Sequence, residues 1–535
     1  MITFERHPDA YKHWKLDIDG TIATLTMAVD PASPLMGDYE LKLNSYDIGV
    51  DIELADAIRR IRFEHPSVRC VVMTGGIAGT FCAGANIRML AAADHAHKVN
   101  FCKFTNETRL EIEDASANSG IRFLAAVNGA CSGGGYELAL ACDHILLVDD
   151  RNTSVSLPEV PLLGVLPGTG GLTRVTDKRG VRRDRADVFA TRAEGSRGAE
   201  ALEWRLIDEL ATPTNFDAAV ADRAAVLAAD GDHLDGEATP LPPLDRTVEA
   251  DLVTYRHVSA RFDRRLRSCD LTVSASSDAD WLLTTARELD DVLCHIRFNE
   301  PEVATIVLRT VGEHDVIRAH DARLHEPATR RDLETALFWQ RVLSRLDLTA
   351  RTLLGAIEPG SCALGVMAEL MFAADRTYML DGVFQDDDDP SPPAVVELTR
   401  TNIDKMLMAN GLSRCTSRLW RDETAQAACV ASAGTSLDAA AMAQIGLVTA
   451  TPDDLDWQDE LRLALEERAS FSPDALTGME ANHRFCGPET MATKIFSRLS
   501  VWQNWIFIRP NASGPDGALA RYGSGARPSY SPIRT

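Results

Sequence analysis

At 535 residues the chain is too long for one ordinary hydrophobic core, so two or three domains are expected. Hydrophobic residues make up 45% and charged residues 25%, a globular balance, and no apolar run approaches the roughly 18 residues that a membrane span needs. The net charge of −24 argues against nucleic-acid or anionic-membrane partners, and a polyanionic ligand would need a local basic patch.

Residues 1–8 contain no apolar signal core, which points to the cytoplasm. The eleven cysteines are scattered and never spaced Cys-x-x-Cys, so neither a disulfide framework nor a metal site is indicated. Cys82, Cys131 and Cys142 lie in apolar motifs and read as small core filler. In chain order, a helix is expected over residues 50–62 and a buried strand over 70–75, and then Phe81-Cys82-Ala83-Gly84-Ala85-Asn86-Ile87 forms a small-residue turn into another helix.

Residues 126–143 are the most informative stretch. An apolar strand end meets Gly133, Gly134 and Gly135, and a helix carrying Glu137 follows. Three glycines can serve only to pack a helix tightly on a strand. They can also leave a free amide at the first turn of that helix to hold an oxygen that gains charge during reaction, with Glu137 close enough to handle the accompanying proton. Ser132 adds a hydroxyl that can hold water or merely bond its own turn, and Tyr136 can face either pocket or core. Further on, Ser156-Leu157-Pro158-Glu159 supplies a second carboxylate and Leu166-Pro167-Gly168-Thr169-Gly170-Gly171 a glycine-rich loop. Residues 178–185 form the densest basic run, readable as a phosphate contact or as a solvated helix face, and Arg88 is a second candidate for phosphate.

These four motifs, in this order, resemble the crotonase (enoyl-coenzyme A hydratase/isomerase) superfamily. The resemblance implies an α/β fold of the ClpP/crotonase type and an acyl-coenzyme A substrate. It implies no metal and no cofactor, coenzyme A being part of the substrate. Matched position by position, it puts the two oxyanion-hole amides on Ala85 and Gly134 and the catalytic glutamates on Glu137 and Glu159; Ser132 is a further catalytic candidate, and Ala83, Asn86, Arg88 and Gly133 are candidates for lining the substrate. Asn86 stands where many members carry Asp, and the connection between the glutamates is slightly longer than in the hydratases.

The chain also repeats itself. Ile61-Arg62-Phe63-Glu64-His65-Pro66 returns as Ile296-Arg297-Phe298-Asn299-Glu300-Pro301, Tyr11-Lys12-His13 as Tyr255-Arg256-His257, and Glu137-Leu138 with Asp143 as Glu369-Leu370 with Asp375. Two crotonase-like modules in tandem are therefore expected: residues 1–229, an acidic Gly- and Pro-rich linker at 230–245, a second module at 246–460, and a helical segment with a tail at 461–535. The second module is degenerate. Val366 takes the place of Gly134, residues 313–317 replace the Ala-Gly-Ala turn, and residues 385–390 replace Ser-Leu-Pro-Glu, which leaves Glu369 structural or solvated.

Residues 39–47, 152–179 and 502–511 extend the resemblance over nearly the whole chain, to ring-opening members of the superfamily that act after a benzoyl-coenzyme A epoxidase. That likeness implies addition of two waters to an aromatic epoxide thioester, ring cleavage without oxygen and release of formate. The alternatives are a hydratase or isomerase of another unsaturated acyl-coenzyme A, and a non-catalytic scaffold. Met491, Ile495, Leu499 and Trp502 fall on one face of a helix expected at 488–507, an apolar stripe that needs a cover and suggests a homodimer. Beyond Arg509 mostly loop is expected.

Overall fold

Strict alternation in the strand Ile22–Met27 buries Ala23, Leu25 and Met27 and half-exposes their neighbours, and the strand pairs antiparallel with the edge strand Trp14–Asp19. The following strands are apolar nearly throughout, because helices cover both faces. Cys70–Gly75, Arg122–Val127, His144–Val148 and Glu209–Ala211 continue the sheet in parallel. The computed structural model describes residues 1–230, 233–385 and 391–535. Its contacts divide it into one unit of Ile2–Pro243 with Thr329–Glu334 and another of Leu244–Ala328 with Thr335–Thr535. Part of the expected linker, residues 231–232, lies outside the described residues, and the stretch from 461 onward clusters with the second unit.

In the first unit the helix Ile48–Glu64 starts at Asp47, whose carboxylate accepts from the amides of Gly49 and Leu35 at 2.8 Å each and from the Tyr39 hydroxyl at 2.9 Å. This cap fixes the chain just after Tyr46. A second, three-stranded parallel sheet of Gly79–Cys82, Gly129–Ser132 and Val155–Ser156 carries the three motifs that converge on the site.

The second unit repeats this plan residue for residue in places. Its seven-stranded sheet begins with antiparallel strands, including Val258–Asp263 and Ser268–Ser274, and continues in parallel through Thr305–Val311, Thr352–Ile357 and Arg376–Met379. In the first unit Glu53 accepts from the amides of Lys12 and His13, and Tyr11 donates to Asp56; in the second, Glu288 accepts from Arg256 and His257, and Tyr255 donates to Asp291. Such matched buried polar contacts have no reason to recur except duplication.

The carboxy-terminal region departs from expectation in detail. The helix expected at 488–507 runs without a break over 491–507 but is widened by a π-type turn at Ile495–Leu499, and short helices Pro510–Ser513 and Ala518–Arg521 interrupt the tail. Among the described residues no helix is long and apolar enough to cross a membrane.

Candidate active site

The strand Gly129–Ser132 ends in Gly133, whose φ of +53° with ψ of −128° is open only to glycine. That turn redirects the chain into the helix Gly134–Ala141, so the Gly134 amide lies in its first turn, where no carbonyl of the helix can reach it. The Ala85 turn is brought alongside by the backbone of Tyr46, whose amide donates to Gly84 O at 3.0 Å and whose carbonyl accepts from Asn86 N at 2.8 Å. Gly84, at φ +89°, is pressed so close that a Cβ there would lie 2.9 Å from Gly134 N. Among the described residues neither the Ala85 nor the Gly134 amide donates to another group of the chain. Two free donors on adjoining turns are what an oxyanion hole requires.

Glu137 stands one turn into the helix, 2% exposed. Its Oε1 accepts from the amides of Thr169 at 2.9 Å and Gly171 at 2.8 Å, and its Oε2 from the Thr169 hydroxyl. Glu159, the first residue of the helix Glu159–Leu163, is the opposite case. Its Oε1 lies against Gly133, where a Cβ would come within 2.6 Å, and its buried Oε2 has no hydrogen-bond partner among the described residues. Burial, with a smaller contribution from the charge of Glu137, pushes its carboxyl up to about 7. Ser132 Oγ accepts from Ser156 Oγ at 2.9 Å, which leaves the Ser132 proton to donate elsewhere. After Glu159, the side chains of Val160, Leu162, Leu163, Val165 and Leu166 are exposed, an apolar rim beside the carboxyl.

The structure therefore brings together Ala85, Gly133, Gly134, Glu159 and Ser132, with Glu137 on the adjoining helix. Other expectations need correcting. Asn86 was expected to touch substrate, yet its side chain is buried and fully engaged, capping the helix Ile87–Ala92 through Met89 N at 3.0 Å and donating to Glu40 O and Ser45 Oγ. It shapes the Ala85 turn instead. The basic run is largely occupied: Lys178 pairs with Glu113, Arg179 with Asp208, Arg182 with Asp184 and Arg185 with Glu203. Arg88 and Ala83 are exposed beside the turn. Tyr136 faces the core, donating to Leu206 O at 2.7 Å, and burial raises the thiols of Cys82, Cys131 and Cys142, as suits filler.

Sequence reasoning gave no role to Thr169 or to Tyr46. The Tyr46 hydroxyl is buried without a partner among the described residues, under a ring faced by the Arg109 guanidinium at 5.3 Å, and a Cβ on Gly134 would fall 1.9 Å from it. The only signal for Thr169 was its place between Gly168 and Gly170, and for Tyr46 its place in the stretch 39–47.

In the second unit the same turn survives without its use. Gly365 has φ +50° and ψ −119° and precedes the helix Val366–Phe372. The amide at the place of Gly134, Val366 N, is taken by Asp321 Oδ1 at 2.9 Å, and Asp321 Oδ2 accepts from Thr399 Oγ1 at 2.6 Å. Glu369 is wholly buried, bonded by Asn402 Nδ2 and paired with Arg414, both at 2.8 Å, so its role is structural and not solvated. Of the stretch 385–390, expected to replace the second glutamate motif, residues 386–390 lie outside the described residues.

A parallel-sheet fold with a glycine turn, two free amides and two carboxylates defines an enzyme of the crotonase class. Residues 40–261 match the enoyl-CoA hydratase/isomerase family. A benzoyl-CoA-dihydrodiol lyase from Aromatoleum evansii is 50% identical over 549 aligned residues, covering 99% of this chain and 97% of that one. The chain belongs to the family of that lyase, within the crotonase superfamily. The fatty acid oxidation complex subunit alpha of Shewanella loihica is 34% identical over 196 residues, 36% of this chain and 25% of that one. A solved enoyl-CoA hydratase from Geobacillus kaustophilus is 31% identical, covering 41% of this chain and 75% of that one, with a TM-score of 0.36.

Proposed function

We propose that the protein opens the ring of 2,3-epoxybenzoyl-coenzyme A with two waters, giving 3,4-didehydroadipyl-coenzyme A semialdehyde and formate. It would act in the cytoplasm, as a homodimer, downstream of a benzoyl-coenzyme A epoxidase and without metal or redox cofactor. The observation that carries the reading is Glu159, a carboxyl at about 7 with one oxygen partnerless among the described residues and the other set against the turn that presents the Gly134 amide.

In this reading the thioester oxygen accepts from Ala85 N and Gly134 N as electrons move toward the ring carbon that bears the thioester. Each donor lowers the barrier by roughly 3 kcal/mol if it is worth a hundredfold or more. Glu159, half protonated near neutrality, delivers a proton to the epoxide oxygen and takes one back from water. Ser132 and Glu137 hold the attacking waters, and the exposed apolar side chains after Glu159 suit an aromatic acyl group. Arg88, exposed and without an ion pair among the described residues, is the candidate for the coenzyme A phosphates. The test is incubation of the purified protein with 2,3-epoxybenzoyl-coenzyme A and assay of formate. Stoichiometric formate, lost in Glu159→Gln, is the expected result. Absence of formate together with rapid hydration of crotonyl-coenzyme A would replace the reading with an ordinary hydratase.

A further inference from the structure

Glu137 and Glu159 differ in how much of each carboxylate is left for chemistry. A carboxylate offers about four lone-pair sites. On Glu137 both sites of Oε1 are taken, by the amides of Thr169 and Gly171, and one site of Oε2 is taken by the Thr169 hydroxyl. One site remains, and it is on the oxygen that Thr169 controls.

The loop that makes these bonds is anchored independently of that hydroxyl. Gly168 O accepts from Asn106 Nδ2 at 3.1 Å, and Thr169 O accepts from Arg174 Nη1 at 3.0 Å. Arg174 is itself held in a fork by Glu113, at 2.9 and 2.8 Å. Gly170, at φ +92°, makes the bend that aims the Thr169 and Gly171 amides at the same oxygen. Removing the hydroxyl therefore leaves the loop and two of the three bonds in place.

We propose that Thr169 is a specificity-determining positioning residue. Its hydroxyl limits Glu137 to holding a single water in fixed orientation and leaves proton transfer to Glu159. Without the hydroxyl, Oε2 has two open sites, and Glu137 becomes a second general base of the kind that adds water across a simple unsaturated thioester. The proposal rests on the ring-opening reading for its main substrate, and the hydration assay keeps the two separable.

The experiment compares Thr169→Val, Thr169→Ala and Thr169→Ser in the full-length protein, with folding checked by circular dichroism. Val and Ala are expected to lower kcat for formate release at least tenfold with KM within twofold, and to raise crotonyl-coenzyme A hydration at least threefold, while Ser stays within threefold of the parent in both assays. Unchanged kcat in Val, a Ser variant as impaired as Val, or a change confined to KM would overturn the assignment. Val and Ala variants that both fail to fold would also overturn it, by making the hydroxyl structural. If the parent protein releases no formate, the ring-opening reading has failed on its own, and the hydration ratio of Val to parent decides the role of Thr169, an unchanged ratio rejecting it.

Discussion

Glu159 enters its helix with one oxygen against the Gly133 turn and the other meeting no donor among the described residues, which is why burial can carry it to about 7. If its protonated form opens the epoxide, kcat/KM falls as pH rises through about 7, and Glu159→Gln removes that limb together with at least a hundredfold of turnover. A pH profile of both proteins checks this; a limb that persists in the variant assigns it to another group. The same shift bears on stability. The folded carboxyl holds its proton above the unfolded value of 4.5, so the folded state binds more protons and loses stability as pH rises from about 4.5 to about 7. Glu159→Gln should then be more stable than the parent at pH 8 by about 1–2 kcal/mol, the partial exposure of the carboxyl reducing the effect, as read by urea denaturation. At Gly134 the constraint is steric. A methyl group would meet the Tyr46 hydroxyl at 1.9 Å, so Gly134→Ala should displace the turn, lower turnover at least a hundredfold and cost about 1–3 kcal/mol of stability. A folded Gly134→Ala protein with near-parental turnover would dismiss the oxyanion role of this amide.

At the scale of elements, the glycine turn before a buried helix occurs twice, at Gly133 and Gly365, with nearly the same dihedrals. What differs is the group facing the first amide of the helix. Substitution of Asp321 by Ala strips the partner from Val366 N and from Thr399, and a loss of about 2–3 kcal/mol in chemical denaturation is expected with no change in kcat. Glu369→Gln should likewise leave activity untouched but cost about 1–3 kcal/mol, because it removes one of the two carboxylates, the other being Asp347, that hold the buried Arg414. The repeat was legible in sequence because residues such as Tyr11 and Tyr255 are kept with the carboxylates they bond, Asp56 and Asp291. The fate of the second hole was not. Asp321 lies 45 residues along the chain from Val366, and only the fold places its carboxylate on that amide. The same holds for Thr169 and Glu137, whereas Gly133, Gly134 and Glu137 are contiguous and could be read directly.

For the whole molecule, the carboxy-terminal stripe is displayed rather than buried: Met491 and Phe496 are each 73% exposed and Ile508 80%. The wide turn at Ile495–Leu499 shifts the register, which adds Phe496 to the outward face and leaves Trp502 half-buried. Phe496→Glu combined with Leu499→Glu should halve the mass measured by light scattering if this surface joins two copies, and an unchanged mass would place the dimer contact elsewhere. The filled hole of the second unit has a consequence of another kind. Asp321 is a tethered occupant, present at an effective concentration no free metabolite can match, so that half of the molecule behaves as a receptor saturated at birth. A calorimetric titration with a non-reactive coenzyme A thioester should accordingly saturate at one equivalent per chain, although the architecture was built twice.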